Sequence, residues 1–160
     1  QALENATPHG VQLELAGPVG EQNTSRLLPR GDVLCVATTR AGAIRQIAAA
    51  LVTGNRALVS CAEPFAALDR LPDALRPHVA RASPDNQQEF GVALFEGDTT
   101  GLLQLNARLA QRPGAVVPVF ATTPDSAAPL PYPLEFLLCE QTISVNTAAA
   151  GGNASLMTIG

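Results

Sequence analysis

The sequence has no lysine and no tryptophan, and only one tyrosine and one methionine. All ten basic residues are arginine, set against fourteen acids, for a formal net charge of -4 at pH 7. A basic footprint for nucleic acid is missing, and the acidic balance also disfavours direct contact with an anionic membrane. No run approaches the roughly 18 apolar residues of a spanning helix; the best stretch is residues 47–52. Composition excludes collagen, a coiled coil and a disulfide scaffold. The three cysteines, Cys35, Cys61 and Cys139, lie far apart. An odd count at that spacing reads as a reduced, cytosolic chain. The N-terminus lacks the basic and apolar regions of a signal peptide. A start at Gln1 leads us to expect a piece of something longer.

What is abundant is alanine, at 27 of 160 positions. A core can be built at this length, but it must be built from small side chains. Residues 1–9 are polar and read as a leading linker. Val11, Leu13 and Leu15 alternate with Gln12 and Glu14, which predicts a half-buried strand. A turn comes next at 17–20, and then a short extended piece at 25–29. Residues 33–37 (VLCVA), 57–60 (ALVS) and 91–95 (GVALF) are apolar runs expected of strands covered on both faces. Residues 115–121 supply a further strand, which Pro118 restricts to an edge or a bulge.

Between these strands lie helix signals. Thr38 or Thr39 can cap a helix whose apolar positions are Ile44, Ile47, Ala48, Leu51 and Val52, with Gly54 past its end. Pro64 suits the first position of a short helix to Asp69, and Pro72 and Pro77 break the stretch after it. Asp98 is the N-cap of a helix over 99–112, buried through Leu102, Leu105 and Leu109, and Pro113-Gly114 ends it. Residues 123–133 carry four prolines and form a loop. Residues 134–138 fit strand or helix equally well, and 142–146 are extended. Alternating strand and helix predicts an α/β fold, a Rossmann-like open, mainly parallel sheet with helices on both faces.

The chemistry of a catalytic site is hard to assemble from these residues. The first strand-to-helix turn, 37–42, holds one glycine and Arg40, without a glycine-rich phosphate loop. Glu63 is the acid available at the end of the second strand. His9 and His78 are isolated from each other and from the cysteines, so no metal set forms. Cys35 and Cys139 read as packing residues. Cys61, just past a strand, is the best nucleophile candidate. The acid pairs Asp69/Asp73 and Glu96/Asp98 lie near helix starts, where carboxylates serve as caps against the dipole. We therefore expect no catalytic, cofactor-binding or metal residues in the chain.

Two stretches carry a resemblance. Residues 15–23 (LAGPVGEQN), followed by Arg26-Leu27-Leu28-Pro29-Arg30-Gly31 and Val33-Leu34-Cys35, resemble a block near the C-terminus of long bacterial proline utilization A (PutA) proteins. Residues 140–157 (EQTISVNTAAAGGNASLM) are similar to the terminal motif of that family, and residues 46–55 match its style. The resemblance covers essentially the whole chain. It departs at Gln141, where the family usually has Arg.

The resemblance implies a C-terminal domain of a cytoplasmic parent that can associate peripherally with the inner membrane. Such parents oxidise proline to glutamate with an FAD-dependent proline dehydrogenase and an NAD-dependent glutamate semialdehyde dehydrogenase. It implies a fold like the aldehyde dehydrogenase superfamily over 10–143, without a working active site or a cofactor of its own. It also implies a terminal motif over 144–160 that docks on the aldehyde dehydrogenase domain, in the same chain or oligomer, and seals the tunnel between the two sites. The docking residues are Ser144, Val145, Asn146, Thr147, Gly151, Gly152, Asn153, Leu156, Met157 and Ile159. Their chemistry fits: Gly151 and Gly152 allow close backbone approach, the asparagines can satisfy backbone groups, and Leu156, Met157 and Ile159 supply apolar anchors. The rival reading is a domain that still binds NAD at the 37–42 turn, as an active or vestigial dehydrogenase.

Overall fold

The computed structural model describes residues 10–62, 66–84 and 88–147. Its centre is a five-stranded, fully parallel sheet. The strands are β3 (Asp32–Ala37), β4 (Arg56–Cys61), β5 (Val79–Arg81), β6 (Val92–Glu96) and β7 (Val119–Thr122), in the order β5-β4-β3-β6-β7. Helix α1 (Arg40–Val52) joins β3 to β4, and α2 (Thr99–Ala110) joins β6 to β7.

Side chains alternate across the pleat and so fill two cores. Val33, Cys35, Val59, Val92 and Leu94 face α1, where Ala43, Ala49, Ala50 and Tyr132 meet them. Leu34, Leu58, Ala93 and Phe95 face α2, through Leu105 and Leu109. Helices on both faces of a parallel sheet are what the sequence predicts.

Two helix details differ from expectation. Helix α1 buries Gly42, Ala43, Gln46, Ala49 and Ala50, while Ile44 is 56% exposed. The smallest side chains win the inner face because the helix lies close to the sheet, and Ile47 and Leu51 pack only at its flank. Helix α2 does start after Asp98, whose carboxylate accepts from Gly101 N at 2.8 Å, but it ends at Ala110. Around Asp69 the chain is a 3-10 turn, Ala66–Arg70, and the Pro64 position expected to open it lies outside the described residues. The last strand of the body begins only after Pro118 and sits at the sheet edge, consistent with proline's missing donor. Strand β5, three residues long, has no clear sequence signal.

A second sheet gathers the extended pieces expected at 11–15, 25–29 and 142–146, though the sequence does not predict their pairing and the first of them is exposed, not half-buried. Strands β1 (Gln12–Leu15), β2 (Glu21–Pro29) and β8 (Leu138–Asn146) form an antiparallel sheet in the order β1-β2-β8. Nine residue pairs join β2 to β8, from Pro29↔Leu138 to Glu21↔Asn146. Most of this sheet is solvent-exposed. The sequence hides the pairing because the first half of β2, residues 21–25, is polar and non-alternating. The segment 134–138 resolves into a 3-10 turn, Leu134–Leu137, that leads into β8. Gln141, the departure from the family pattern, accepts from Arg26 Nε at 2.6 Å on the facing strand. Arginine at that position would set two like charges opposite each other, so glutamine fits its partner here.

One buried side chain ties the two sheets together. Asn55 accepts from Gly31 N (2.9 Å) where β2 passes into β3, and donates to Leu137 O (2.9 Å) just before β8. It also donates to Thr53 Oγ1 (2.7 Å) at the end of α1. Among the described residues no helix is long and apolar enough to cross a membrane. Replacing Asn55 with alanine would break three hydrogen bonds at once, those with Gly31 N, Leu137 O and Thr53 Oγ1, and would leave Arg30 N as the remaining donor to Leu137 O. A loss of about 3 kcal/mol in urea unfolding is the expected result.

Candidate functional site

In an open parallel sheet, ligands bind beyond the carboxyl ends of the strands where the strand order reverses. Here that place lies between β3 and β6, because the chain proceeds outward from β3 to β4 on one side and from β6 to β7 on the other. Two turns converge there, Thr38-Thr39 before α1 and Gly97-Asp98 before α2. An open cleft of about 570 Å³ lies beside them, lined by Thr38, Phe95, Gly97, Asp98, Thr123 and Asp125 among others.

The residue at the centre of this place is Glu96, the last residue of β6, which is wholly buried. The pleat puts it on the α1 face, two residues on from Leu94. Its Oε1 accepts from Thr39 N (2.9 Å), Thr39 Oγ1 (2.7 Å) and Thr38 Oγ1 (3.2 Å). Thr39 Oγ1 in turn accepts from Gly42 N at 3.0 Å, so the N-cap hydroxyl relays the helix donors to the carboxylate. The other oxygen, Oε2, is buried without a hydrogen-bond partner among the described residues and lies over the first turn of α1. A Cβ built on Gly42 would overlap both carboxylate oxygens, so the helix approaches this closely only because position 42 has no side chain.

A second polar group lies one helical turn on. Gln46 donates from Nε2 to Val36 O (3.0 Å) and to Tyr132 Oη (2.9 Å), and the tyrosine hydroxyl donates to Phe95 O (3.4 Å). Gln46 Oε1 is buried and has no hydrogen-bond partner among the described residues. Burial pushes the Tyr132 hydroxyl up to about 12, and the charge of Glu96 adds to the rise. At the rim of the cleft, a hydrogen bond from Thr123 holds the Asp125 carboxyl below the usual carboxylate range. Both helix N-termini at the switch point therefore face the chain's own carboxylates, Glu96 and Asp98. The expectation that this acid pair serves as caps is correct, although Glu96 caps α1, a helix some sixty residues earlier, and not its own. The only sequence signal for it is an acid directly after a fully apolar strand.

Of the remaining candidates among the described residues, Cys61 alone reaches this place. Cys35 is buried in mid-strand, and burial pushes its thiol far up. Cys61 donates to Thr39 O at 3.6 Å and is half-buried, and Cys139 is exposed on β8; all three are free thiols. His78 is exposed in the 3-10 turn Arg76–His78, whereas His9 and Glu63 lie outside the described residues. Asp69 pairs with Arg81 (3.0 Å) and Asp73 with Arg76 (3.4 Å). No cluster of three or more metal-ligating side chains occurs among the described residues.

Of the tail residues, Ser144, Val145 and Asn146 end β8 opposite Asn23, Gln22 and Glu21. Thr147 N donates to Gly20 O at 2.7 Å. All four are exposed. Gly151, Gly152, Asn153, Leu156, Met157 and Ile159 lie outside the described residues.

No protein-family model matches the chain. Individual proteins do match. The chain is 42% identical over 158 residues to the bifunctional protein PutA of Escherichia coli, covering 94% of the chain and 11% of that protein. It is 41% identical over 155 residues to the bifunctional protein PutA of Rhizobium meliloti, covering 94% and 13%. The chain is homologous to one segment of the PutA proteins. It spans about an eighth of the length of these relatives.

Solved structures agree on the fold. A proline utilization A structure with proline bound in remote sites superposes with a TM-score of 0.61 at 22% identity, over 76% of this chain and 14% of that one. An indole-3-acetaldehyde dehydrogenase gives 0.54 at 16%, over 71% and 30%. The fold is thus shared by PutA and aldehyde dehydrogenases.

The single tyrosine makes the buried network measurable. Its phenolate absorbance should appear near pH 12 in the folded chain and near pH 10 in urea. Between those values the unfolded chain releases a proton that the folded chain keeps. Stability is therefore full below about pH 10 and falls as pH rises toward about 12. Tyr132→Phe should remove that part of the alkaline loss.

Proposed function

We propose that this chain is a non-catalytic domain of a cytoplasmic, bifunctional proline-catabolising enzyme. In this reading it docks on the aldehyde dehydrogenase domain of that enzyme and seals the passage between the two active sites. The parent would use FAD and NAD, and this domain neither. The observation that carries the reading is strand β8. Its inner edge is fully paired with β2, no further strand joins its outer edge among the described residues, and it leads directly into the 147–160 segment.

An exposed edge of nine residues is a template for strand addition, and residues 141–146 (QTISVN) carry no charge that would discourage it. Residues directly opposite on neighbouring strands share a face. Leu13 and Leu15 therefore lie on one face of the sheet, with Ser144, and Ile143 and Val145 lie on the other. All four apolar side chains are at least 40% exposed. Each could contribute roughly 1.5–3 kcal/mol if fully covered. Homology over 94% of the chain, but only 11–13% of the relatives, supports a role inside a larger protein.

The test is made in the full-length enzyme. Removing residues 144–160 should impair aldehyde oxidation and transfer of the intermediate more than proline oxidation. An opened wall lets the intermediate escape, whereas the flavin site needs no such wall for its own electron transfer. With proline as substrate, the truncated enzyme should show a lag before NADH appears. Full dehydrogenase activity without a lag would refute the sealing role.

A further inference from the structure

We propose that the switch point of this domain is an oxyanion site closed from within, with the Glu96 carboxylate as resident ligand and phosphate as the ligand class it shuts out. The inference builds on the reading of the domain as non-catalytic and supplies a physical cause for it. A helix N-terminus attracts anions through unpaired N–H groups and its dipole. Here the donor set, one backbone N–H and two hydroxyls, converges on a single carboxylate oxygen. These are the donors a phosphate oxygen would take, and an anion already holds them.

A second observation concerns the rest of the same carboxylate. The other oxygen of Glu96 accepts from no donor among the described residues, although it is wholly buried over the first turn of α1. A carboxylate chosen only for capping would be placed at the solvent edge, as Asp98 is on α2. Glu96 instead fills the space between α1 and the sheet, and Gly42 is the residue that leaves that space open. The adjoining cleft carries further negative charge on Asp98 and on Asp125. The site is therefore blocked by occupancy, and its approach is guarded by like charge.

The experiment compares the wild-type chain with Glu96→Ala and Glu96→Gln in sodium phosphate or pyrophosphate, against sodium chloride of equal ionic strength. Thermal unfolding and the amide resonances of Thr39 and Gly42 are followed. Wild type should be indifferent to phosphate, and so should Glu96→Gln, whose amide still fills the space. Glu96→Ala should melt below wild type in chloride. With phosphate about tenfold above its Kd, its melting temperature should rise by about 3 °C, with the Thr39 amide shifting along the same titration.

A folded Glu96→Ala whose Thr39 amide ignores phosphate overturns the proposal. If that variant fails to fold in chloride, refolding in phosphate becomes the measurement, with Glu96→Ser beside it. No better recovery in phosphate for either variant overturns the proposal too. Wild type that binds NADH and shifts Thr39 would sink the non-catalytic reading and the internal ligand together. A phosphate-silent Glu96→Ala sinks the internal ligand alone.

Discussion

A buried carboxylate between two βα units sets the terms for much of this fold. Glu96 closes β6, yet every hydrogen bond the structure gives it reaches the turn after β3. Burying a charge is costly unless it is held by strong, charge-assisted donors, and here the N-terminus of α1 provides them. The consequence runs back along the sequence. Thr38 and Thr39 must both carry hydroxyls, and position 42 must have no Cβ. Gln46 apart, the inner face of α1 is small all the way to Ala50. The alanine-rich composition is thus partly a requirement of helix-to-sheet distance, not only a cheap way to build a core.

The two sheets answer different demands. The parallel sheet is buried on both faces, and its central strands carry almost nothing polar before Glu96. The antiparallel sheet is exposed and held mainly by its own ladder, with a few side-chain bonds such as Ser25 Oγ to Glu140 Oε1 at 2.8 Å. Its orientation on the body depends on the short link through Gly31, the Arg30 N to Leu137 O bond and Asn55. Stability therefore concentrates in the parallel layer, and the open strand edge of β8 lies in the exposed one.

How much of this is legible in the sequence divides along the same line. Apolar runs such as 33–37 and 91–95 announce buried strands because nothing polar can be tolerated there. The caps Thr39 and Asp98 announce helix starts because few side chains can accept from an orphan N–H. The exposed sheet is legible only in pieces, as extended segments at 11–15, 25–29 and 142–146 without their pairing. Glu21 to Ser25 carries no alternation, since neither face is committed to a core, and the β2–β8 pairing spans more than a hundred residues. The inner face of α1 is easily misread because hydrophobicity favours Ile44, while packing distance favours Gly42 and Ala43. Glu96 is legible as a cap by type but not by target, since only the fold brings β6 beside β3.

The geometry of β8 bears on how a short tail could hold a partner. A free segment of this size would lose most of its gain to the entropy of ordering. A segment whose first residues are already fixed loses less, because only the remainder must be ordered and its partner is met at high effective concentration. The ladder fixes residues up to Asn146, and the Thr147 N to Gly20 O bond extends that anchoring by one residue. In the proposed role, the strand does the expensive ordering in advance and leaves the small residues beyond it to track a partner's backbone. A partner that adds a strand beside β8 would cover Ile143 and Val145 from one face, while Leu13 and Leu15 remain for a contact on the other.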